Sequence, residues 1–152
     1  MPNTPPVELQ APDITPWKAG NTGIDWVHVR STGRPGPQVM VQALTHGNEI
    51  CGAIALNWLL AQGFAPLCGR LTLAFGNVLA YAGFDPAQPY ASRCVDEDLN
   101  RVWADEVLQG PRDSVELRRA RQLQPFVDTA DLLLDIHSMG EPCAPLMVCG
   151  TV

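Results

Sequence analysis

Apolar and polar positions follow short-period patterns along the chain, interrupted by turns rich in glycine and proline. The run "DWVHVR" alternates, "STGRPGP" supplies turn chemistry, and "QVMVQALT" resumes the alternation, so residues 25–45 are predicted to form a hairpin or two adjacent strands. From Asn48 to Gln62, apolar residues lie nearly all round a helical projection, and Gly63 ends the pattern. This segment is predicted to be a buried helix.

The second half of the chain continues to alternate between strand and helix patterns. "RLTLAFGN" predicts a strand, residues 78–103 a polar irregular stretch, residues 113–128 a helix, and "DLLLDIHS" and "PLMVCG" two further strands. Such alternation is typical of an α/β protein, here a three-layer α/β/α fold with a mixed, largely parallel central sheet. Residues 21–152 are interpreted as one domain, preceded by a proline-rich N-terminal arm over residues 1–20. The apolar anchors of that arm are Val7, Leu9, Ile14 and Trp17.

Composition and charge narrow the classes of function. The 152 residues are 46% hydrophobic and carry a net charge of -6, which argues against a nucleic-acid partner because such binding depends on clustered basic residues. The one basic cluster, Arg118, Arg119 and Arg121, lies on an amphipathic helical segment and is interpreted as a solvated face. No apolar run is long enough for a membrane span, and the N-terminus lacks the pattern of a signal peptide. Five cysteines without a CxxC pair favour a cytoplasmic, reduced protein with mostly packed thiols.

Two of the three histidines fall where predicted strands end, which is where α/β sheets gather their ligand sites. His46 leaves the strand "QVMVQALT", Glu49 lies in the first turn of the following helix, and His137 leaves "DLLLDIHS". Imidazole nitrogens and a carboxylate are ordinary zinc ligands, so one metal ion could be shared by all three. A histidine that starts a helix and a glutamate that favours the helix dipole would explain the spacing without metal. His28, inside a predicted strand, is interpreted as a packed or edge residue.

A second polar motif, "SRCVDEDLNRVW", lies in the irregular stretch. Its Arg93 and Arg101 are suited to bidentate contacts with a carboxylate, and an arginine near a polarised carbonyl stabilises the oxyanion that forms on attack. Asn100 would add a donor for a substrate carboxylate. The alternative is a solvated polar loop with no ligand. Asp98 and Asp135 are candidates for orienting metal ligands through hydrogen bonds, with plain turn or packing roles as the alternative.

The motifs "HGNE", an arginine seven residues before the "NR" of "DLNR", and "DIHS" resemble, in this order, those of the succinylglutamate desuccinylase and aspartoacylase family, which is related to the zinc carboxypeptidases. The resemblance covers roughly residues 25–150. It implies one zinc ion on His46, Glu49 and His137, a catalytic Arg93 that polarises the scissile carbonyl, and Asn100 and Arg101 holding the substrate carboxylate, with Arg93 also contacting substrate. The implied activity is hydrolysis of the amide bond of a small, anionic N-acyl amino acid. The alternatives are a metallocarboxypeptidase acting on peptide C-termini and a non-catalytic, zinc-stabilised binding domain.

The resemblance also implies a part that this chain lacks. The family takes its general base from a glutamate on a strand beyond the third ligand, whereas this chain ends fifteen residues after His137. Glu141, the only acid in that remainder, lies in a Gly/Pro turn and is interpreted as a surface residue. We therefore expect a carboxypeptidase-like fold that is truncated at its C-terminus and hydrolyses little alone. An uncovered sheet edge would favour self-association, so an oligomer is possible.

Overall fold

The computed structural model describes residues 6–140 and 143–150. The described residues contain four strands and four α-helices, in this order along the chain: β1 (Val27–Ser31), β2 (Gln38–Ala43), α1 (Ile50–Ala61), β3 (Arg70–Phe75), α2 (Val78–Ala82), α3 (Asp105–Leu108), α4 (Val115–Val127) and β4 (Leu132–Ile136). Short 3-10 turns lie at Thr15–Trp17, Pro89–Ser92 and Leu99–Arg101. The last two lie in the stretch of residues 78–103 that was predicted to be irregular, but that prediction is wrong for its first turn, which forms α2 with Asn77 as its N-cap.

The four strands form one sheet in the order β1-β3-β2-β4. β2 pairs in parallel with β3 and β4, and β1 pairs antiparallel with β3. The sheet is therefore mixed and largely parallel, as predicted, but the predicted pairing of β1 with β2 is wrong. The turn between them pairs instead with the start of β3, because Gly69 N–H donates to Arg34 O (2.8 Å) and Arg70 N–H to Pro37 O (3.0 Å). Alternation identified both strands but carried no information on their partner.

Helices cover both faces of the sheet and complete the three layers. On one face Leu56 of α1 packs with Ala43 and Phe75, and on the other Leu123 of α4 packs with Met40 and Ala74. The close approach of α1 requires Gly52, because a Cβ there would lie 2.8 Å from the Ala43 Cβ. The expectation that α1 is buried all round is only partly right. Its inner face is buried, whereas Trp58 is 59% exposed because that side of the helix faces away from the sheet.

The segment before β1 packs onto the body of the protein through a few side chains. Ile14 is buried in the core beneath α1, and Trp17 Nε1 donates a 2.8 Å hydrogen bond to Asn57 Oδ1. A ring nitrogen of the half-buried His28 lies 2.9 Å from Trp17 O, so the packed or edge role predicted for this histidine is what the structure shows. Leu9, expected to be an anchor, is exposed.

Three expectations about exposure and strands are wrong. Residues 143–150 form no strand, because no described strand pairs with them, and their apolar side chains are exposed. Arg119 does not belong to a solvated face: it is 7% exposed and donates to Gly76 O, Phe75 O and Asp25 O, and burial lowers its pKa to about 10. The thiols of Cys68, Cys143 and Cys149 are exposed rather than packed. Of the helices in the described ranges, none combines the length and apolar character needed to cross a bilayer.

Candidate metal centre

His46 reaches the candidate metal site from the end of β2, a strand with a neighbouring strand on each side. After β2 ends at Ala43, Leu44 adopts a left-handed conformation (φ 62°), which turns the chain out of the strand direction. His46 follows two residues later and is 3% exposed. Gly47 is required beside it, because a Cβ at that position would collide with the backbones of Ser92 and Ala80.

Glu49 joins the two histidines. It is the N-cap residue of α1, one position before the first turn in which it was expected. Its Oε1 lies 2.8 Å from His46 Nδ1, and its Oε2 lies 2.8 Å from His137 Nδ1 and accepts from Ser138 N–H at 3.1 Å. Burial alone would raise the pKa of Glu49, but the hydrogen bonds from His137 and His46 outweigh it and lower the pKa to about 2. The carboxylate is therefore ionised and uses both oxygens within the cluster.

His137 reaches the same point from β4. Because β2 and β4 are parallel neighbours, their carboxyl ends lie at one edge of the sheet and bring His137 opposite His46. His137 Nε2 donates to Asp135 Oδ2 at 2.8 Å, and its side chain is 33% exposed. The hydrogen bonds to Asp135 and Glu49 raise the pKa of His137 to about 10 in the metal-free protein.

The second nitrogen of each imidazole also faces a carboxylate. His46 Nε2 lies 2.9 Å from Asp98 Oδ1, which matches the 2.8 Å contact between His137 Nε2 and Asp135. A proton on Nε2 leaves the Nδ1 lone pair free for a metal, and a carboxylate partner stabilises that tautomer and the ring orientation. The structure thus places Asp98 and Asp135 where the sequence analysis proposed an orienting role.

The three candidate ligands fit a shared metal ion. One donor atom from each of His46, Glu49 and His137 lies within 4.8 Å of the other two. Two imidazoles and one carboxylate form a donor set typical of catalytic zinc sites, which leave one position for water. A hydrogen-bonded cluster without metal remains the structural alternative for the same contacts.

Arg93 lies directly beside the cluster. Its carbonyl accepts from Gly47 N–H at 3.1 Å, which fixes the Arg93 backbone against the "HGNE" turn. Its guanidinium lies 3.3 Å from Glu49 Oε1 and 3.5 Å from Asp98 Oδ2 and is 42% exposed. Nη2 also lies 2.9 Å from His46 Nε2. It can donate to that nitrogen only when the proton is absent, so this contact and the donation from His46 to Asp98 are alternatives.

Asn100 and Arg101 lie farther from the ligands. Both are exposed on the 3-10 turn, where Asn100 N–H donates to Asp98 Oδ1 (2.8 Å) and Arg101 donates to Asn100 O (3.2 Å). In the part of the chain that the structure describes, neither side chain hydrogen-bonds to a candidate ligand. Glu141, which the sequence analysis set aside as a general base, lies outside the described residues.

Glu116 is a structurally important residue that the sequence analysis missed. Its fully buried carboxylate accepts hydrogen bonds from Asn77 Nδ2 (2.7 Å) and from three consecutive backbone N–H groups, those of Val95, Asp96 and Glu97. Burial favours the neutral acid, but these hydrogen bonds prevail and hold the pKa of Glu116 below its usual value. Glu116 thus fixes the loop between Arg93 and Asp98. An acid in the first turn of a helix is expected for dipole reasons alone, so its sequence offered no such signal.

The sequence and the α/β fold of the chain match those of a known protein family. The family model for the succinylglutamate desuccinylase/aspartoacylase catalytic domain matches residues 35–149. The chain belongs to this family, as the resemblance of its motifs implied.

Individual relatives agree with this assignment. The chain is 39% identical over 89 residues to a succinylglutamate desuccinylase of Burkholderia lata, covering 57% of this chain and 23% of that protein. It is 33% identical over 116 residues to an N-acyl-aromatic-L-amino acid amidohydrolase of Rattus norvegicus, and the match covers 69% of this chain and 34% of that protein. It also resembles the product-bound structure of the ectoine utilization protein EutE from Ruegeria pomeroyi (TM-score 0.56, 26% identity), and the match covers 74% of this chain and 32% of that chain. The chain thus spans between 23% and 34% of the length of these two curated relatives.

Proposed function

We propose that this chain carries the metal centre of a zinc-dependent hydrolase that cleaves the amide bond of small N-acyl amino acids. The observation that carries the proposal is the convergence of His46 Nδ1, His137 Nδ1 and the Glu49 carboxylate within 4.8 Å. Relatives named as desuccinylase and as N-acyl-aromatic-L-amino acid amidohydrolase support an acylated amino acid as the substrate class.

Each side chain of the site has a chemical task in this proposal. A zinc ion in such a site supplies Lewis acidity that polarises a carbonyl and makes water a stronger acid. His46, Glu49 and His137 would hold the ion, while Asp98 and Asp135 keep protons on the two Nε2 atoms. Arg93 would stabilise the negative charge that develops on the amide oxygen, because it lies beside the candidate ligand Glu49 and its side chain, 42% exposed, is open to a substrate.

Substrate binding is assigned to three side chains of the loop of residues 93–101. Arg93, Asn100 and Arg101 provide donors for an anionic substrate, and the two guanidinium groups can contact its carboxylate directly despite the net charge of -6. Hydrolysis also needs a general base. Asp98 and Asp135, the described acids nearest the ligands, are each hydrogen-bonded to an imidazole. We therefore expect little or no turnover from the 152-residue chain alone.

The first experiment is the zinc content of the purified chain by elemental analysis, compared with His46→Ala. We expect about one zinc per chain in the parent and almost none in the variant, because three protein ligands are the minimum of a catalytic zinc site. His28→Ala is the matched control, since His28 lies on β1 against Trp17 and should leave the zinc content unchanged. A parent without zinc, even after zinc is added back, would refute the metal centre.

A substrate panel then separates the alternatives. N-succinyl, N-acetyl and N-acyl-aromatic amino acids are compared with short peptides, using the chain within its longest available coding sequence. Hydrolysis of the acylated amino acids supports the proposal, whereas cleavage of peptide C-termini supports a metallocarboxypeptidase. Bound zinc without turnover of any substrate supports a non-catalytic, zinc-stabilised domain.

A further inference from the structure

A chain of hydrogen bonds leads from the partly exposed His137 to buried side chains of the sheet. His137 Nε2 donates to Asp135 Oδ2 (2.8 Å), and the Thr45 hydroxyl lies 2.7 Å from the same oxygen and 2.9 Å from Asp135 Oδ1. Gln42 Nε2 in turn donates to Thr45 Oγ1 at 2.8 Å. Gln42 and Thr45 are 3% and 1% exposed, so water does not compete for the contact between them, whereas the Asp135 side chain is 21% exposed.

The backbone explains why Thr45 can reach Asp135. Gln42 and Asp135 are directly opposite each other on the parallel strands β2 and β4, so their side chains share the sheet face covered by α4. Ala43 and Leu44 both pack in the core on the α1 side, which interrupts the alternation of β2. The left-handed conformation of Leu44 causes this interruption and returns Thr45 to the face of Gln42 and Asp135.

The chemistry of the hydroxyl gives the chain of hydrogen bonds one direction. A threonine hydroxyl has a single proton, and an ionised carboxylate can only accept. Thr45 therefore donates to Asp135 and accepts from Gln42 Nε2, and Asp135 remains an acceptor for His137 Nε2–H. A valine at position 45 would keep the shape of the side chain but remove both contacts.

We propose that Thr45, supported by Gln42, is a positioning residue for the metal centre: it orients the Asp135 carboxylate, which fixes the ring of His137 with Nδ1 facing Glu49. The inference rests on the proposed zinc site and deepens it. His137 needs this support more than His46 does, because its side chain is 33% exposed whereas that of His46 is 4% exposed. An imidazole that is not enclosed by packing depends on hydrogen bonds for its orientation.

Zinc affinity provides the first test, measured by competition with a chromophoric chelator. Thr45→Val should weaken zinc binding roughly tenfold, at the lower end of the effect known for partners of metal ligands, and Thr45→Ser should restore it. Thr72→Val is the matched control, because Thr72 is a buried threonine on β3 outside this chain of hydrogen bonds. If Thr45→Val does not fold, Thr45→Ala serves the same comparison.

A double-mutant cycle separates positioning from a general loss of stability. If Thr45 acts through Asp135, Thr45→Val should not weaken zinc binding further in the Asp135→Ala background. An equal weakening in both backgrounds would overturn the inference. Melting temperatures of the same variants show whether the change in affinity only follows a change in stability.

A measurement on the metal-free protein keeps the inference distinct from the zinc proposal. In ¹⁵N-labelled protein, the His137 Nε2 proton should give a protected resonance that shifts or broadens in Thr45→Val and is retained in Thr45→Ser and Thr72→Val. If the parent binds no zinc but this resonance responds as expected, the proposed function fails and the positioning role stands. If the resonance is the same in Thr45→Val, the positioning role is wrong.

Discussion

The two strand ends that meet at the metal centre differ in their surroundings. The end of β2 is flanked by β3 and β4, and His46 is 3% exposed beneath the Arg93 loop. β4 has only β2 as a neighbour among the described residues, its three leucines are exposed, and the His137 side chain is 33% exposed. One ligand is thus held by the packed core, and the other depends mainly on its hydrogen bonds to Glu49 and Asp135.

The largest expected effect concerns Glu116, whose buried carboxylate holds the loop that follows Arg93 next to His46. Glu116→Gln places an amide where three backbone N–H groups donate, so at least one buried donor loses its acceptor. We expect the free energy of unfolding to fall by about 2–3 kcal/mol, the range for hydrogen bonds to a charged group. Urea denaturation measures this change. Glu106→Gln, at an exposed position of α3, is the control, and equal stability of the two variants would contradict the anchoring role.

The two histidines should differ in their contribution to the stability of the metal-free fold. His46→Ala leaves a cavity in a closed environment and removes a partner of Glu49 and Asp98, so a loss of about 2 kcal/mol is expected. His137→Ala should cost less than His46→Ala, because its side chain is 33% exposed and water can enter the vacated site and hydrogen-bond to Glu49 and Asp135. Both variants should nevertheless lose zinc. Equal destabilisation would show that the ends of β2 and β4 are equally well packed.

The pH dependence of the stability of the metal-free protein tests the hydrogen bonds of His137 to Glu49 and Asp135. The pKa of His137 in the folded protein, about 10, lies above its ordinary value of 6.5. Its contribution is therefore fully present below about pH 6.5 and is lost as the pH rises through 10. Glu49, whose pKa is lowered from 4.5 to about 2, contributes above pH 4.5 and loses its contribution as the pH falls through 2.

Urea denaturation at pH 6 and pH 9 measures the effect of His137. Stability of the metal-free parent should be lower at pH 9, and this decrease should be smaller in His137→Asn, which cannot take up the proton. An identical decrease in both proteins would show that another group titrates over this range.

The candidate ligands and the two acids beside them, Asp98 and Asp135, could be proposed from the sequence, whereas the contacts of Glu116 and Thr45 that support this arrangement could not. "HGNE" and "DIHS" follow apolar strands, and parallel strands place their ends at one edge of a sheet, so His46, Glu49 and His137 follow from local pattern. Strand order depends on long-range pairing, which explains the wrong pairing of β1 with β2. Glu116 accepts hydrogen bonds from backbone groups about twenty positions earlier in the sequence, and Thr45 contacts Asp135, ninety positions later. Local patterns place a residue at the end of a strand, but they carry no information on which buried side chains hydrogen-bond to each other.

The smallest expected effect on stability concerns β4, which lies at one edge of the sheet in the described part of the chain. Leu132 on β4 is 56% exposed, and β4 is an edge strand among the described residues. An apolar edge strand favours pairing with a second copy. Leu132→Lys should reduce concentration-dependent self-association, measured by analytical ultracentrifugation, while changing the free energy of unfolding by no more than about 0.5 kcal/mol. Leu79→Lys is the matched control, since Leu79 is 61% exposed on α2, away from the sheet edge. If both substitutions reduce association equally, general surface charge is responsible; if only Leu132→Lys does so, the less enclosed side of the metal centre is also the side through which copies associate.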